Sequence, residues 1–348
     1  MPVVWSERHR LHEPCGEVWV GVRTPGTEVP ERVERIRAAL AEARSVAAHA
    51  QPDSTVLAVH DAELLEYLAS AWGDWEAPGL TRDPGQDRVV PYVFQHPDLF
   101  SEFAPALPAA ISARAGRFAF DTMTLIGPGT WEAARAAVDT ALTAAALVLE
   151  GEPAAYACCR PPGHHATRSS FGGSCYLNND AAAAARLRAA GHRVAVLDID
   201  AHHGNGTQAI FYEDPEVLVG SVHVDPAAGW FPHFLGFASE TGGGANRNLP
   251  IAPGSGDEPW LAAVRDLAEW ARAGGAAALV VALGVDAAGG DPESPLEVSA
   301  AGFREAGRAL GALGLPTVLV QEGGYDLDTL GELVREVLTG VEEGLGRV

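Results

Sequence analysis

Cysteine is scarce in this chain of 348 residues: Cys15, Cys158, Cys159 and Cys175 are its only four. None stands in a C-x-x-C pair and two are adjacent, so neither a disulfide framework nor a cysteine-held zinc is expected. Reduced, mostly buried thiols in a cytoplasmic protein are expected instead. Basic residues are few, 24 against 46 acidic, for a net charge of −22. That balance excludes nucleic acid, whose phosphates demand Lys and Arg. It leans weakly towards cationic ligands through the overall field. No run of roughly 18 apolar residues occurs, so no membrane span is expected. The first ten residues hold no apolar signal core. Internal repeats and low-complexity tails are absent too. Hydrophobic residues make up 47% of the chain, ample for a sizeable core.

Val3–Trp5 reads as a first strand, 16–28 as a loop, and 30–44 as a helix with Val33, Ile36 and Leu40 at helical spacing. Thr55–Val59 reads as a strand, and Asp61–Trp72 as a helix capped by Asp61. Residues 73–116 are irregular and rich in proline, and an excursion that long is usually functional. Its aromatic residues, Tyr92, Phe94, Phe100 and Phe103, suggest a packed segment at a subunit interface. From Thr130, which can cap a helix to about Leu149, the pattern alternates. Strands at Ala154–Cys158, Val194–Ile199, Val217–Val224, Ala277–Leu283 and Thr317–Gln321 are separated by helices. Those helices read as Asn178–Ala190, a short one after 199, Glu258–Ala273, Ser299–Leu313 and a final Asp328–Leu345. This predicts an α/β fold: a single domain over 1–348 whose central, mostly parallel β-sheet is flanked by helices on both faces.

One stretch organises the rest: Val194-Ala-Val-Leu-Asp198-Ile-Asp200-Ala-His202-His203-Gly-Asn205-Gly. An apolar strand runs straight into acids and histidines. Strand side chains alternate, so Asp198, Asp200 and His202 point the same way if the extended geometry persists. Such groups, once buried, need a cation or a proton relay to compensate them. Asp-x-His suits a metal, because carboxylate oxygen and imidazole nitrogen both bind zinc at about 2.0–2.2 Å.

Other polar residues fall late in, or just past, predicted strands. His164-His165 follows 154–158, Ser221 and His223 end 217–224, Asp286 follows 277–283, and Tyr325 follows 317–321. Open parallel sheets bind ligands at that edge. Asp286 is the natural third ligand beside Asp200 and His202, and three protein ligands leave room for water and substrate, as a catalytic site requires. The adjacent imidazoles of His164 and His165 need partners to fix their tautomers, and Asp198 and Asn205 are available. A carboxylate partner raises a histidine's pKa far more than an amide does. The two would thus be tuned apart, as acid–base chemistry needs. Tyr325 is a poor base near neutrality, but opposite a metal its phenol can donate a hydrogen bond to an oxyanion.

Together these segments resemble the zinc-dependent histone deacetylase superfamily. RPPGHHA (160–166), CYLNN (175–179), LDIDAHHGNGTQAIFY (197–212), LGVD (283–286) and QEGGY (321–325) stand in that family's order and spacing. The likeness covers Thr130 to about Gly340, and more loosely the part before it. GPGTWEAA (127–134), FPHFLG (231–236) and the chain length look most like the bacterial acetylpolyamine amidohydrolase branch. The resemblance implies the arginase/deacetylase fold and one catalytic Zn2+ held by Asp200, His202 and Asp286. It implies Asp198 behind His164, Asn205 behind His165, Tyr325 polarising the acetyl carbonyl, and the Gly173 carbonyl accepting the substrate amide proton. It also implies structural K+ or Na+, one site drawing on Asp198, Asp200, His202 and Ser221, another on Phe211, Asp214 and Val217. The implied reaction is hydrolysis of an N-acetyl group, with water made acidic and the carbonyl polarised by zinc. His165 takes the water's proton, and one of the two histidines protonates the leaving amine; which one stays open, since coupled imidazoles titrate together. A homodimer formed through 16–28 and 73–116 is expected, as in that branch.

Substrate class is less sharply marked. In the family an aromatic residue commonly precedes C-Y-L-N-N and walls an acyl-lysine tunnel; Ser174 stands there, with Phe231 opposite and Trp230 nearby. One wall is therefore expected to be open. The polyamine branch places acids before its GPGTW-like motif, but 107–116 has none, and Ser112 falls near one expected Glu. Glu293, seven residues after Asp286, resembles the gate of a polyamine-selective eukaryotic deacetylase, and a carboxylate at a pocket mouth attracts a distant ammonium. The expected substrate is an acetylpolyamine or similar small cationic acetylamine; the alternative is an acetyl-lysine protein or peptide. A binuclear manganese ureohydrolase lacks its further acids here, since Ala287-Ala288 follows Asp286. A non-catalytic acylamine-binding protein is disfavoured by the intact ligands, histidine pair and Tyr325.

Overall fold

The computed structural model of the chain describes residues 1–82, 86–99, 103 and 106–347. Its strands are β1 (Pro2–Trp5), β2 (Glu17–Trp19), β3 (Val22–Thr24), β4 (Arg44–Ala47), β5 (Ala154–Ala157), β6 (Val194–Asp198), β7 (Val217–Val224), β8 (Asn246–Ile251), β9 (Ala278–Leu283) and β10 (Thr317–Gln321). Eight of them make one sheet, ordered β4-β1-β5-β10-β9-β6-β7-β8, and every pairing in it is parallel. β2 and β3 form a separate antiparallel hairpin.

Parallel neighbours need long crossovers, and helices supply them: α1 (Glu31–Ala39), α2 (Asp53–Val56), α3 (Ala62–Glu76), α4 (Ile111–Phe118), α5 (Thr130–Leu149), α6 (Asn179–Ala189), α7 (Asn205–Phe211), α8 (Asp257–Ala273), α9 (Ala300–Gly311) and α10 (Leu330–Gly344). Side chains from α2 to α7 pack on one face against Ala155, Val196, Val280 and Val318. Those of α1, α8, α9 and α10 cover the other, over Tyr156, Leu197, Val281 and Leu319. Successive strand residues thus enter opposite cores, which is why the central strands read as unbroken apolar runs. Asn178 caps α6 through its side chain, accepting the Ala181 N–H at 2.8 Å, and Ser299 caps α9 in the same way. No described helix is long and apolar enough to cross a membrane.

The first third departs from its sequence pattern. Thr55–Val59 predicts a strand, yet α2 and a turn lie there; the strand is β4, beyond the end of α1 at Ala39. β4 lies at the sheet edge and is largely exposed, so it carries no apolar signature. The loop predicted for 16–28 contains the β2–β3 hairpin. Asp61 precedes α3, but its side chain makes no cap bond. Thr130 opens α5 rather than capping it; its hydroxyl accepts the Gly127 N–H at 3.0 Å. In the 73–116 excursion, Tyr92 and Phe103 are 76% and 78% exposed on the single chain, and Phe100 lies outside the described residues.

Candidate active site

In a parallel sheet all strands end on one edge. The adjacent strands β5, β10, β9 and β6 lead there into His164-His165, Gly323-Gly324-Tyr325, Asp286, and Asp200-Ala201-His202. β6 stops at Asp198, so strand alternation does not carry through to His202 as its sequence suggests. A tight turn does the converging instead. Asp198 Oδ1 accepts the N–H of Asp200 at 3.0 Å, and Asp200 Oδ1 that of His202 at 2.9 Å.

Asp200, His202 and Asp286 each place a ligand-type atom within 4.8 Å of the others. His202 Nδ1 is 3.3 Å from Asp200 Oδ1 and 3.1 Å from Asp286 Oδ2. Its Nε2 lies 3.1 Å from the backbone carbonyl of Glu293, which can only accept, so Nε2 carries the hydrogen. A neutral imidazole then aims its lone pair at two carboxylates. Only a proton or a cation relieves that contact. Burial and Asp200 push the Asp286 carboxyl up to about 7. Against burial, the two acids drive His202 well above its ordinary value. This donor set fits a divalent cation. The backbone closes in around it: Gly323 donates to Asp200 Oδ2 at 2.7 Å, and a Cβ on Gly323 would stand 2.3 Å from Asp286 Oδ2. His164, Cys175 and Glu322 also approach within 4.8 Å, but they suit a cation less. His164 Nδ1 and Glu322 Oε2 are already bonded, and burial holds the Cys175 thiol well above its usual range.

The rings of the histidine pair lie with centroids 4.0 Å apart, tilted by 43°. His164 Nδ1 lies 2.9 Å from Asp198 Oδ2, and His165 Nδ1 lies 2.7 Å from Asn205 Oδ1. Burial opposes charge on His164, but Asp198 and Asp200 outweigh it and push the imidazole up to about 10. His165 has no acid of its own. Burial, with the charges of His164 and His202, holds it well below its ordinary value. One ring is thus kept charged and its neighbour neutral.

Tyr325 is half-buried, and burial raises its phenol well above the usual range, making it a donor. The Arg32 guanidinium lies 4.6 Å from its ring centroid and bonds the Gly324 and Glu322 carbonyls. Asp291 Oδ2 accepts the Tyr325 N–H at 2.8 Å.

His165, His202 and Tyr325 line a cavity of about 550 Å³. Phe231 forms one wall, edge-on to His165 at 4.7 Å and backed by Phe120 at 6.3 Å. Gly173 adopts φ +58, and a Cβ there would sit 2.3 Å from the His165 ring. Ser174 and Met123 also line the cavity. Glu293, held by the Thr27 hydroxyl at 2.6 Å, lines the cavity together with Glu17, and among the described residues no arginine does. Burial, Glu293 and Asp121 push the Glu17 carboxyl up to about 7.

Ser221 lies in register with Asp198 across β6 and β7, but its hydroxyl is 2.8 Å from His223 Nδ1. Phe211, Asp214 and Val217 form a compact turn, Asp214 donating to the Phe211 carbonyl at 2.8 Å and Val217 to that of Asp214 at 3.2 Å. The Asp214 carboxylate is paired with Arg188 at 3.1 Å. Sequence patterns did not single out Glu17, Arg32, Asp121 or Asp291. Two signals were there to be read: the i,i+4 spacing of Glu28 and Arg32, and the turn after Asp121, whose carboxylate accepts the N–H groups of Met123 and Thr124.

The fold and the polar edge of its sheet place the chain among hydrolases of the arginase/deacetylase architecture. More particularly, residues 26–341 match the histone deacetylase domain, and the chain belongs to that family of deacetylases. An acetylpolyamine amidohydrolase of Mycoplana ramosa is 41% identical, covering 98% of this chain and 99% of its own. One from Burkholderia pseudomallei is 40% identical over 95% of each. The crystal structure of the acetylpolyamine aminohydrolase from Burkholderia pseudomallei superposes with a TM-score of 0.92, at 38% identity and 99% coverage of both chains. The HD domain of HDA15 gives 0.78 at 28% identity, covering 99% of this chain and 89% of that one.

Proposed function

We propose that the chain is a zinc-dependent amidohydrolase removing acetyl groups from acetylpolyamines or similar small cationic acetylamines. The cavity carries this reading. His165, His202 and Tyr325 line it, Glu17 and Glu293 face it, and among the described residues no arginine lines it to compete for their charge. A distant ammonium finds counter-charge there, and a neutral acyl-peptide does not. The relatives named as polyamine enzymes support the same substrate class.

Asp200, His202 and Asp286 would hold the zinc. Bound there, the ion supplies Lewis acidity to the acetyl carbonyl and lowers the pKa of water towards about 7. His165, neutral and with Nε2 free, takes the proton of the attacking water. His164, kept charged through Asp198, sits beside it, and the pair returns a proton to the leaving amine. Tyr325 donates to the developing oxyanion. The Gly173 carbonyl accepts the amide N–H, while Phe231 packs along the substrate and Ser174 leaves it room. The reading extends to K+ or Na+ at the two sets named above, Asp198, Asp200, His202 and Ser221, and Phe211, Asp214 and Val217. It also takes 1–348 as one domain, supported by a single sheet drawing strands from Pro2 to Gln321. A cytoplasmic homodimer is part of the proposal, supported by free cysteines and by exposed Trp19, Val20, Tyr92 and Phe234.

The test strips the purified protein with a chelator, reloads it with Zn2+, and follows acetate release from acetylputrescine, acetylspermidine and an acetyl-lysine peptide. Activity lost on stripping and restored by zinc, with kcat/KM highest for an acetylpolyamine, is the expected outcome. No release from any substrate with metal bound overturns the reaction. A preference for the peptide overturns the substrate class alone.

A further inference from the structure

Glu322 turns its carboxyl away from the cavity and under the histidine turn. Its Oε2 accepts the backbone N–H groups of Gly163 at 2.6 Å and His164 at 3.0 Å. Its Oε1 finds no donor, and neither oxygen of Asp180 does, although both residues are 0% exposed. Asp180 comes from the first turn of α6, between Asn178-Asn179 and a run of alanines, so no cationic residue stands next to it in sequence. Arg32 reaches the Glu322 backbone carbonyl but not its carboxylate. Two ionised carboxylates buried side by side without a cation are prohibitively costly. The two carboxyls are neighbours: each acts on the titration of the other, and Gly163, whose N–H Glu322 accepts, backs onto the Asn179 main chain beside Asp180. A contact between carboxyl groups is a hydrogen bond only when one of them carries a proton. Burial favours keeping it, acting on both acids in the same direction. The Cys175 thiol nearby is itself held protonated by burial and offers no counter-charge.

We propose that Asp180 and Glu322 hold one proton between them, and that this pair is the rear support of the turn carrying His164 and His165. The shared proton ties Glu322 Oε1 to Asp180, which leaves Oε2 aimed at the Gly163 and His164 N–H groups. Without it, two anions repel and the carboxyl under the turn swings. Asp180 is therefore a positioning residue: it touches no reacting atom, but it sets where both imidazoles stand.

Infrared spectroscopy of the zinc-loaded protein tests this directly. At about pH 9, well above the ordinary carboxyl range, the spectrum should retain the carbonyl stretch of a protonated carboxyl. That band should shift on isotopic labelling of Asp and Glu carboxyls and vanish in Asp180→Asn. Absence of the band in the wild-type protein overturns the proposal. In kinetics, Asp180→Asn keeps a donor for Glu322 and should hold kcat near wild type. Asp180→Leu removes the group that ties Glu322 Oε1, and kcat should fall about 100-fold with KM little changed, as for a misplaced catalytic group. Equal damage from the two substitutions also overturns it. The kinetic arm rests on the deacetylase reading, whereas the infrared arm does not, so the two can fail separately.

Discussion

Tyr325 is held by the Arg32 guanidinium against its ring and by Asp291 on its backbone N–H, so neither contact uses its hydroxyl. Tyr325→Phe keeps both and removes only the donor. Steady-state assays should show kcat lowered about 100- to 1000-fold, the usual loss for an oxyanion donor, at nearly constant KM. A loss below about tenfold would take the phenol out of oxyanion stabilisation. Glu293 separates two duties within one residue. Its carbonyl orients His202 and its carboxylate faces the cavity. Glu293→Leu should therefore lower kcat/KM for acetylputrescine about tenfold, equivalent to roughly 1.4 kcal/mol, and spare an acetyl-lysine peptide. Equal losses on both substrates would remove this side chain from selectivity.

Among the elements, the loop between β7 and β8 shapes the cavity, and one carboxylate anchors it. Glu240 accepts the N–H groups of Gly236 and Phe237 at 3.1 Å, Gln208 Nε2 of α7 at 2.6 Å and Asn248 Nδ2 of β8 at 3.2 Å. Glu240→Ala should cost about 1–3 kcal/mol in bonds to a charged group. It should also speed amide exchange across 229–240 and raise KM through a loosened Phe231; unchanged exchange there would refute the anchor. The five strands β5, β6, β7, β9 and β10 are legible as apolar runs because both of their faces are buried. β8 reads Asn-Arg-Asn-Leu-Pro-Ile at the sheet edge, and β4 lies exposed at the other; neither has a pattern to detect. The same holds for the site. Asp200, His202, His164, His165 and Tyr325 stand in short local strings. Arg32 meets the carbonyl of Glu322 across 290 residues of chain, and no local spacing records such a pairing.

Across the whole molecule, buried titratable groups pull in opposite directions as pH falls. His9 and His60 are lowered to about 4 and His12 to about 3, burial being the first cause for each. The Glu17 carboxyl is raised to about 7 and gains stability over part of the same range. A difference measurement isolates one contribution. His60 lies 2.9 Å from the Thr167 carbonyl at Nδ1 and accepts the Asn178 N–H at Nε2, 2.8 Å away, so its folded form must be neutral. Below about 6.5 the unfolded chain binds a proton that the folded one refuses. Its contribution is complete above that pH and is lost as pH falls towards about 4. The Tm gap between wild type and His60→Gln should shrink over that interval; a constant gap would mean His60 does not titrate on unfolding. All 24 basic residues are arginine, so no side-chain amine of the enzyme competes with a released amine product for amine-reactive reagents.

His202 owes its orientation to the main chain of Glu293 rather than to that residue's side chain. Any amino acid with a free carbonyl at 293 would aim the imidazole equally well. Diet and digestion are thereby uncoupled: mutation can retune which acetylamines are admitted, one codon at a time, while the machinery that cleaves them goes on working.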